Sequence, residues 1–518
     1  MVARGATLAG AVQRFTPQLY RIRAEVSSLG FGPACLKVQV LGASFTPMAT
    51  PPSAPKGRTF DRSIVEGPIL GAVWKIAWPT VLQNVIGGMQ GIVDHAMVGH
   101  YVGYTGNAAV GIAFQIFLVV IVFVMSIYTG MGVLVSRFAG AGDAASVNRT
   151  VYQGFLASIA LAVLVMAPVG WFLSPSLLVL VNAAPAVRAD ALPYLRTMFV
   201  GGVGMMMFFL LGGALRAAGD ARTGLRLGIA MTLINIGLNV VFIRGLGPIP
   251  AMGVMGAALG TVIAGLAVSA YGFTRLLSGH LVIHWERGMD WRWDWKIIKQ
   301  LFRFGLPAGI QGIAMNIAGV MLLRFIGSLA TSAEAQAAYA VGYSELFSFI
   351  TWTSVGLMGA AAAVAGQNLG AGKPERVERT VQLASRLGLT IAVTIGLLFL
   401  TIPRFLLGLF GMQDPTVLAI GTQLLRWLSV SGLFITTALT YTGGLTGTGD
   451  TKGPLYITLA SQIALPLGFL TVLQLARPLA PADIWLAILM GHALRATLTV
   501  LRFKSGKWRN IRIEGMEA

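Results

Sequence analysis

Residues 138–151 read "FAGAGDAASVNRTV", and 230 positions later residues 368–381 read "NLGAGKPERVERTV". The same offset relates "GALRAAGDARTG" (213–224) to "GGLTGTGDTKGP" (443–454) and the "YLR" ending at Arg196 to the "LLR" ending at Arg426. At an offset of 228, "AWPTVLQ" (77–83) recurs as "GLPAGIQ" (305–311). Landmarks in one register describe a duplicated unit, so the chain is read as two similar halves.

What fills each half is apolar. The 518 residues are 55% hydrophobic and 11% charged, with a mean hydropathy of +0.75. A soluble domain carries about 25% charged residues. Crossing a hydrocarbon core of about 30 Å takes roughly 20 helical residues, and twelve runs of that length lie between residues 70 and 503. The fourth is read at 193–216 and the ninth at 381–411. Gly, Ala, Ser and Thr within them suit close helix packing in lipid. The fold class expected is an all-α membrane protein of twelve transmembrane helices in two six-helix lobes. Six is even, so both halves enter from the same side and are related by a pseudo-two-fold axis along the membrane normal.

The domain reading follows. Residues 1–62 form an N-terminal extension, disordered or a mis-assigned start, with a targeting peptide as the alternative for so basic and acid-poor a stretch; its apolar stretches are too short to span. Residues 63–277 are the first lobe, 278–304 an amphipathic loop on the cytoplasmic leaflet, 305–503 the second lobe and 504–518 a cytoplasmic tail. The net charge of +19 is a matter of topology rather than of nucleic acid. Thirty-one of the 38 Lys and Arg fall on the side that receives the termini, and seven on or near the other. That bias puts both termini in the cytoplasm of a multi-pass protein of the plasma (inner) membrane, in contact with anionic lipid headgroups. A monomer is expected.

Several chemistries have no support. The one cysteine, Cys35, excludes an internal disulfide, and the five histidines include no H-x-x-x-H. "GAGD" (140–143) and "AAGD" (217–220) follow no strand and precede no Lys-Ser/Thr, so they are read as tight turns, not nucleotide loops. An intramembrane transferase would need clustered acids or histidines at a membrane face, and none is present. The chain is read as a transporter rather than an enzyme, with no cofactor.

One acid stands out. Gln83, Gly87, Gln90 and Asp94 are spaced 4, 3 and 4, one face of a helix. A charge at the centre of a bilayer costs at least roughly 2.5–3.5 kcal/mol. Burial favours the neutral carboxyl and a bound cation the ionised form, and these opposed tendencies let one group exchange a small cation for a larger one. An Asp near the outer headgroups is the alternative, since "VGHYVGY" follows. In the second copy Asp94 corresponds to Leu322 whereas Gln83 corresponds to Gln311, so the fold does not require the acid. Glu345, in "YSELFSF", is a second deep acid that either binds a cationic substrate or pairs with Arg324 or Arg426. Asn235 and Asn239, at i and i+4, either coordinate a cation or bond between helices. His95 and His100 are read as exposed or hydrogen-bonded rather than proton carriers, and "GMMMFF" (204–209) as packing.

The motifs resemble those of the MATE (multidrug and toxic compound extrusion) family. The matching stretches are Pro79…Asp94-x-x-x-Val98-Gly99, the run Leu215 to Asp220, the run Gly366 to Arg376, and the run Leu445 to Asp450. The likeness spans about residues 62–503. It implies a secondary antiporter that exports organic, often cationic compounds against an inward flow of H⁺ or Na⁺. In the archaeal and DNA-damage-inducible (DinF-like) branch the cation site uses an Asp on helix 1, an Asn and an Asp on helix 5 and a Thr on helix 6. Carried over singly, these fall on Asp94, Asn235, Asn239 and Thr261; Asn239 replaces the second acid. The acids that the NorM-like branch uses on helices 7 and 10 have no helix 7 counterpart in "PAGIQGIAMNIAGV". The resemblance therefore lies closer to the DinF-like branch, with Na⁺ at Asp94 as the sole metal considered. Gln83, Gln90, Gln311 and Glu345 are the expected substrate-cavity residues. The competing function is a flippase for lipid-linked saccharides or peptidoglycan precursors, which would line its cavity with several basic residues to meet diphosphate.

Overall fold

The computed structural model describes residues 60–181, 183–285 and 288–515. The expected N-terminal extension lies, but for its last three residues, outside the described residues.

Six long helices build the first lobe: α1 (Ile69–Tyr101), α2 (Tyr104–Ala141), α3 (Ala144–Leu180), α4 (Pro185–Gly201 and Val203–Ala217), α5 (Ala221–Arg244) and α6 (Gly253–Leu277). Six more build the second: α7 (Trp295–Gly327), α8 (Ser332–Gly370), α9 (Pro374–Thr401), α10 (Pro415–Thr448), α11 (Lys452–Ala476) and α12 (Pro481–Lys504). Ten are single helices long and apolar enough to span, the two pieces of α4 make an eleventh, and the 38-residue α2 is the twelfth. The one β pairing among the described residues is an isolated bridge, Leu246 to Ile249.

Local chemistry sets the ends. Gly142 (φ 81°) closes α2 in the left-handed region, and Asp143 accepts from the Ser146 amide at 3.0 Å to start α3. The unit repeats at Gly219 and Asp220, which accepts from Thr223 N at 3.1 Å, and at Gly449 and Asp450, which accepts from Gly453 N at 3.1 Å. The Gly-Asp motifs are therefore helix stops and starts.

Two spans differ from the sequence reading. Helix α4 begins at Pro185 rather than near 193, since Pro suits the first turn, and it bends by 51° at Gly202. Helix α9 ends at Thr401, ten residues early, because Ile402 precedes Pro403 and is pushed out of the helical region (φ −129°, ψ 40°). The segment between the lobes also differs. Residues 295–304 are the first turns of α7. Before them an irregular strap packs on the first lobe, with Trp285 against Phe155 and Phe273, and the Tyr152 hydroxyl donating to Trp291 O at 2.9 Å. Beyond α12 the chain stays packed, with Trp508 buried and stacked on Phe503.

The lobes meet through α1 and α2 on one side and α7 and α8 on the other. Glycines allow the approach. A Cβ on Gly140 would overlap the Gln367 carbonyl, and one on Gly370 would overlap that of Arg137. Gly130 against Leu301, Gly305 against Ser126 and Gly356 against Val81 continue the seam. Among the described residues these approaches, and the hydrogen bonds between the lobes, fall in the half of the bundle nearest the loops rich in Lys and Arg.

Candidate cation-binding site

Helices α1, α5 and α6 of the first lobe bring one cluster of oxygens and amides together. Asn239 Nδ2 donates to Asp94 Oδ1 at 2.7 Å. Asn235 lies one turn earlier on α5 and contacts Thr261 Oγ1 at 3.0 Å. With its amide turned so that the nitrogen faces the acid, Asn235 donates to Asp94 Oδ1 at 3.0 Å and accepts from Thr261 N and Oγ1 at 3.3 and 3.0 Å. That orientation satisfies both ends of the amide. Gln90, one turn before Asp94 on α1, accepts from the Thr232 hydroxyl at 2.8 Å. Asn235 and Asn239 are wholly buried, so a polar cluster this deep has to satisfy itself.

Helical spacing makes the cluster possible. Gln83, Gln90 and Asp94 line one face of α1, while Thr232, Asn235 and Asn239, spaced 3 and 4, line the facing side of α5. Gln83 sits further along the same seam, against Gly212 of α4 and Gly224 and Gly228 of α5. On α6, Gly260 lets Asn239 approach: a Cβ there would overlap the Asn239 oxygen. That oxygen has no donor among the described residues.

Asp94 is held by neutral groups. Among the described residues no Lys or Arg forms an ion pair with it. Its one nearby basic group is the adjacent His95, whose ring Nδ1 bonds Asn107 Oδ1. Carboxylate, hydroxyl and amide oxygens are the ligand types that hard cations take, and the same acid can carry a proton.

The structure thus brings Asp94, Asn235, Asn239, Thr261 and Gln90 together, with Gln83 on the same face. It does not join Gln311 or Glu345 to them. Both are half-buried in the second lobe, on α7 and α8. None of the ion pairs among the described residues links Glu345 to Arg324 or Arg426. Two neighbours escaped the sequence reading. Thr232 was legible in principle from its spacing to Asn235. Tyr194, buried in α4 and in electrostatic reach of Asp94, had no local signal, because its neighbour is set by how α4 packs within the lobe.

Two six-helix lobes with a polar cluster sunk in the first define an integral membrane protein of the transporter class. The MatE family profile matches residues 79–241 and 307–470, and the chain belongs to that family. It is 28% identical over 441 residues to the probable multidrug resistance protein NorM of Thermotoga maritima, covering 84% of this chain and 92% of that one. It is 26% identical over 444 residues to the multidrug resistance protein MdtK of Pectobacterium atrosepticum, covering 83% and 94%. The crystal structure of a MATE protein in its straight conformation superposes with a TM-score of 0.78 at 19% identity, over 87% of this chain and 99% of that one.

Proposed function

We propose that the chain is a secondary antiporter of the plasma membrane that exports organic cations, drugs or metabolites, in exchange for H⁺ or Na⁺. The relatives' names as multidrug resistance proteins support the export of varied organic compounds. The observation that carries the coupling reading is Asp94, an acid inside the first lobe bonded to Asn239 at 2.7 Å with no Lys or Arg partner among the described residues. A half-buried acid without a fixed counter-ion has room for a mobile one. The curated relatives bear NorM and MdtK names, while the first-lobe acid follows the DinF-like pattern, so the assignment to a branch rests on this site.

The basic face is read as cytoplasmic from its Lys and Arg excess. The seam contacts lie on that side, and in an outward-open state the cation would reach Asp94 from outside. Occupancy then favours the arrangement that releases the drug, through differential affinity of the two states for the ion.

Asp94→Asn tests this. In proteoliposomes that accumulate ethidium under a pH or Na⁺ gradient, the variant should insert and purify normally yet lose gradient-driven transport. Transport at the wild-type rate would remove Asp94 from coupling.

A further inference from the structure

The second lobe buries a positive charge at a place where the first lobe has no charged residue. Arg495 lies in α12, about 14 Å of helix from the Lys504 end and about 21 Å from the Pro481 end, and is 4% exposed. Among the described residues no carboxylate pairs with it, and none accepts a hydrogen bond from its guanidinium. The groups in electrostatic reach are Tyr343, on α8, and His492, one turn away on α12. The His492 ring is occupied by Ser431 of α10, Nδ1 to Oγ 2.6 Å. On α11 the Gln462 amide nitrogen is buried with no partner among the described residues. It lies against Gly491, four residues before Arg495 on the same face of α12.

The Arg495 guanidinium and the Gln462 amide nitrogen are both donors, while Tyr343 and Ser431 carry hydroxyls that donate or accept. A guanidinium kept inside a membrane protein without a counter-ion is costly and marks a site. The fold does not demand it: at the repeat offsets of 228 and 230, Arg495 corresponds to Ala267 and Gly265. The geometry points to a second-lobe site for the carboxylate of a transported organic compound, anchored by Arg495, with Gln462 as a further donor. This rests on the efflux reading above and narrows its substrates to compounds that carry a carboxylate beside their cationic group. A planar guanidinium matches the two oxygens of a carboxylate, whereas a diphosphate-linked lipid needs more basic groups than Arg495 supplies.

The test uses the full-length protein in nanodiscs and two fluorescent probes, a zwitterionic rhodamine with a free carboxylate and its methyl ester. Anisotropy titrations of the wild type should show the acid binding about tenfold more tightly than the ester, as one charge-assisted contact provides. Arg495→Gln should erase that preference and leave the ester's affinity unchanged; Arg495→Lys should keep part of it. Equal binding of acid and ester by the wild type overturns the proposal without any variant. Equal weakening of both probes in Arg495→Gln overturns it too, as does displacement of the acid by millimolar chloride, which would assign the site to a small inorganic anion. Ester binding without acid preference sinks this inference alone, while failure of both probes to bind sinks the efflux reading with it.

Discussion

Arg137 and Gln367 occupy equivalent positions in the two halves, and each reaches across the molecule to the end of the other lobe's fourth helix. Arg137 Nη1 donates to Thr448 O, at the C-terminus of α10, at 3.4 Å. Gln367 Nε2 donates to Ala217 O, at the C-terminus of α4, at 2.7 Å. Both acceptors are carbonyls at a helix end, which lack partners within their own helix. The duplicated sequence has become a reciprocal clasp across the pseudo-two-fold axis.

Loosening that clasp should shift the lobes. Gln367→Leu removes a hydrogen bond worth about 0.5–1.5 kcal/mol. Arg137→Leu also removes a cation from a helix C-terminus, about 0.3–1 kcal/mol more. Spin labels at the basic-face ends of α2 and α8, read by pulsed electron paramagnetic resonance, should show a longer-distance population that is largest in the double variant. An unchanged distance distribution in the double variant would remove the clasp from gating.

Glycine contacts at the seam should matter more than glycine content. Gly140→Ala and Gly370→Ala each drive a methyl group into the opposing carbonyl, and such overpacking costs about 1–3 kcal/mol. Nothing lies within 4 Å of a Cβ on Gly132, so Gly132→Ala should be neutral or stabilising. Thermal unfolding in detergent should rank the first two well below the third. Equal melting points would mean that the seam yields freely.

Asn239 decides what Asp94 faces. Asn239→Asp sets two carboxyl groups at hydrogen-bonding distance, where they cannot both ionise near neutral pH. The pair would hold a proton, so transport driven by a pH gradient should persist while Na⁺-driven transport falls. Asn239→Leu removes the donor at 2.7 Å and should slow transport about tenfold. Wild-type behaviour of both variants in proteoliposomes would exclude Asn239 from coupling.

The helix-starting acids should differ in weight. Asp450 is 4% exposed, caps α11 through Gly453 N and pairs with Arg502 Nε at 2.7 Å. Asp143 caps α3 through Ser146 N alone. Asp143→Ala should cost about 1 kcal/mol, and Asp450→Ala more, since it also leaves Arg502 unpaired. Chemical denaturation of the two variants would settle the order, and equal losses would show that the ion pair adds nothing.

Much of this protein is local and so was written in the sequence. Apolar length set the number of spans, because a bilayer admits little else, and recurrent Gly-Asp punctuation marked where helices stop and start. Asp94 and its stripe were visible because helical spacing puts residues 83, 90 and 94 on one face. The offset between the copies showed which polar residues the fold could do without. Other features depended on distant contacts. No spacing rule tells that α5 presents Thr232, Asn235 and Asn239 to α1, or that α4 brings Tyr194 towards the acid. Glu345 read as a second deep acid, and whether Arg324 or Arg426 pairs with it depended on neighbouring helices rather than on depth along one; no such ion pair forms among the described residues. The segment 278–304 read as an amphipathic loop on the cytoplasmic leaflet, and only the structure showed that Trp285 packs on Phe155 of α3 and Phe273 of α6. Arg137 and Gln367 each sit one residue before the first motif compared, but only the meeting of the lobes gave those side chains carbonyls to hold.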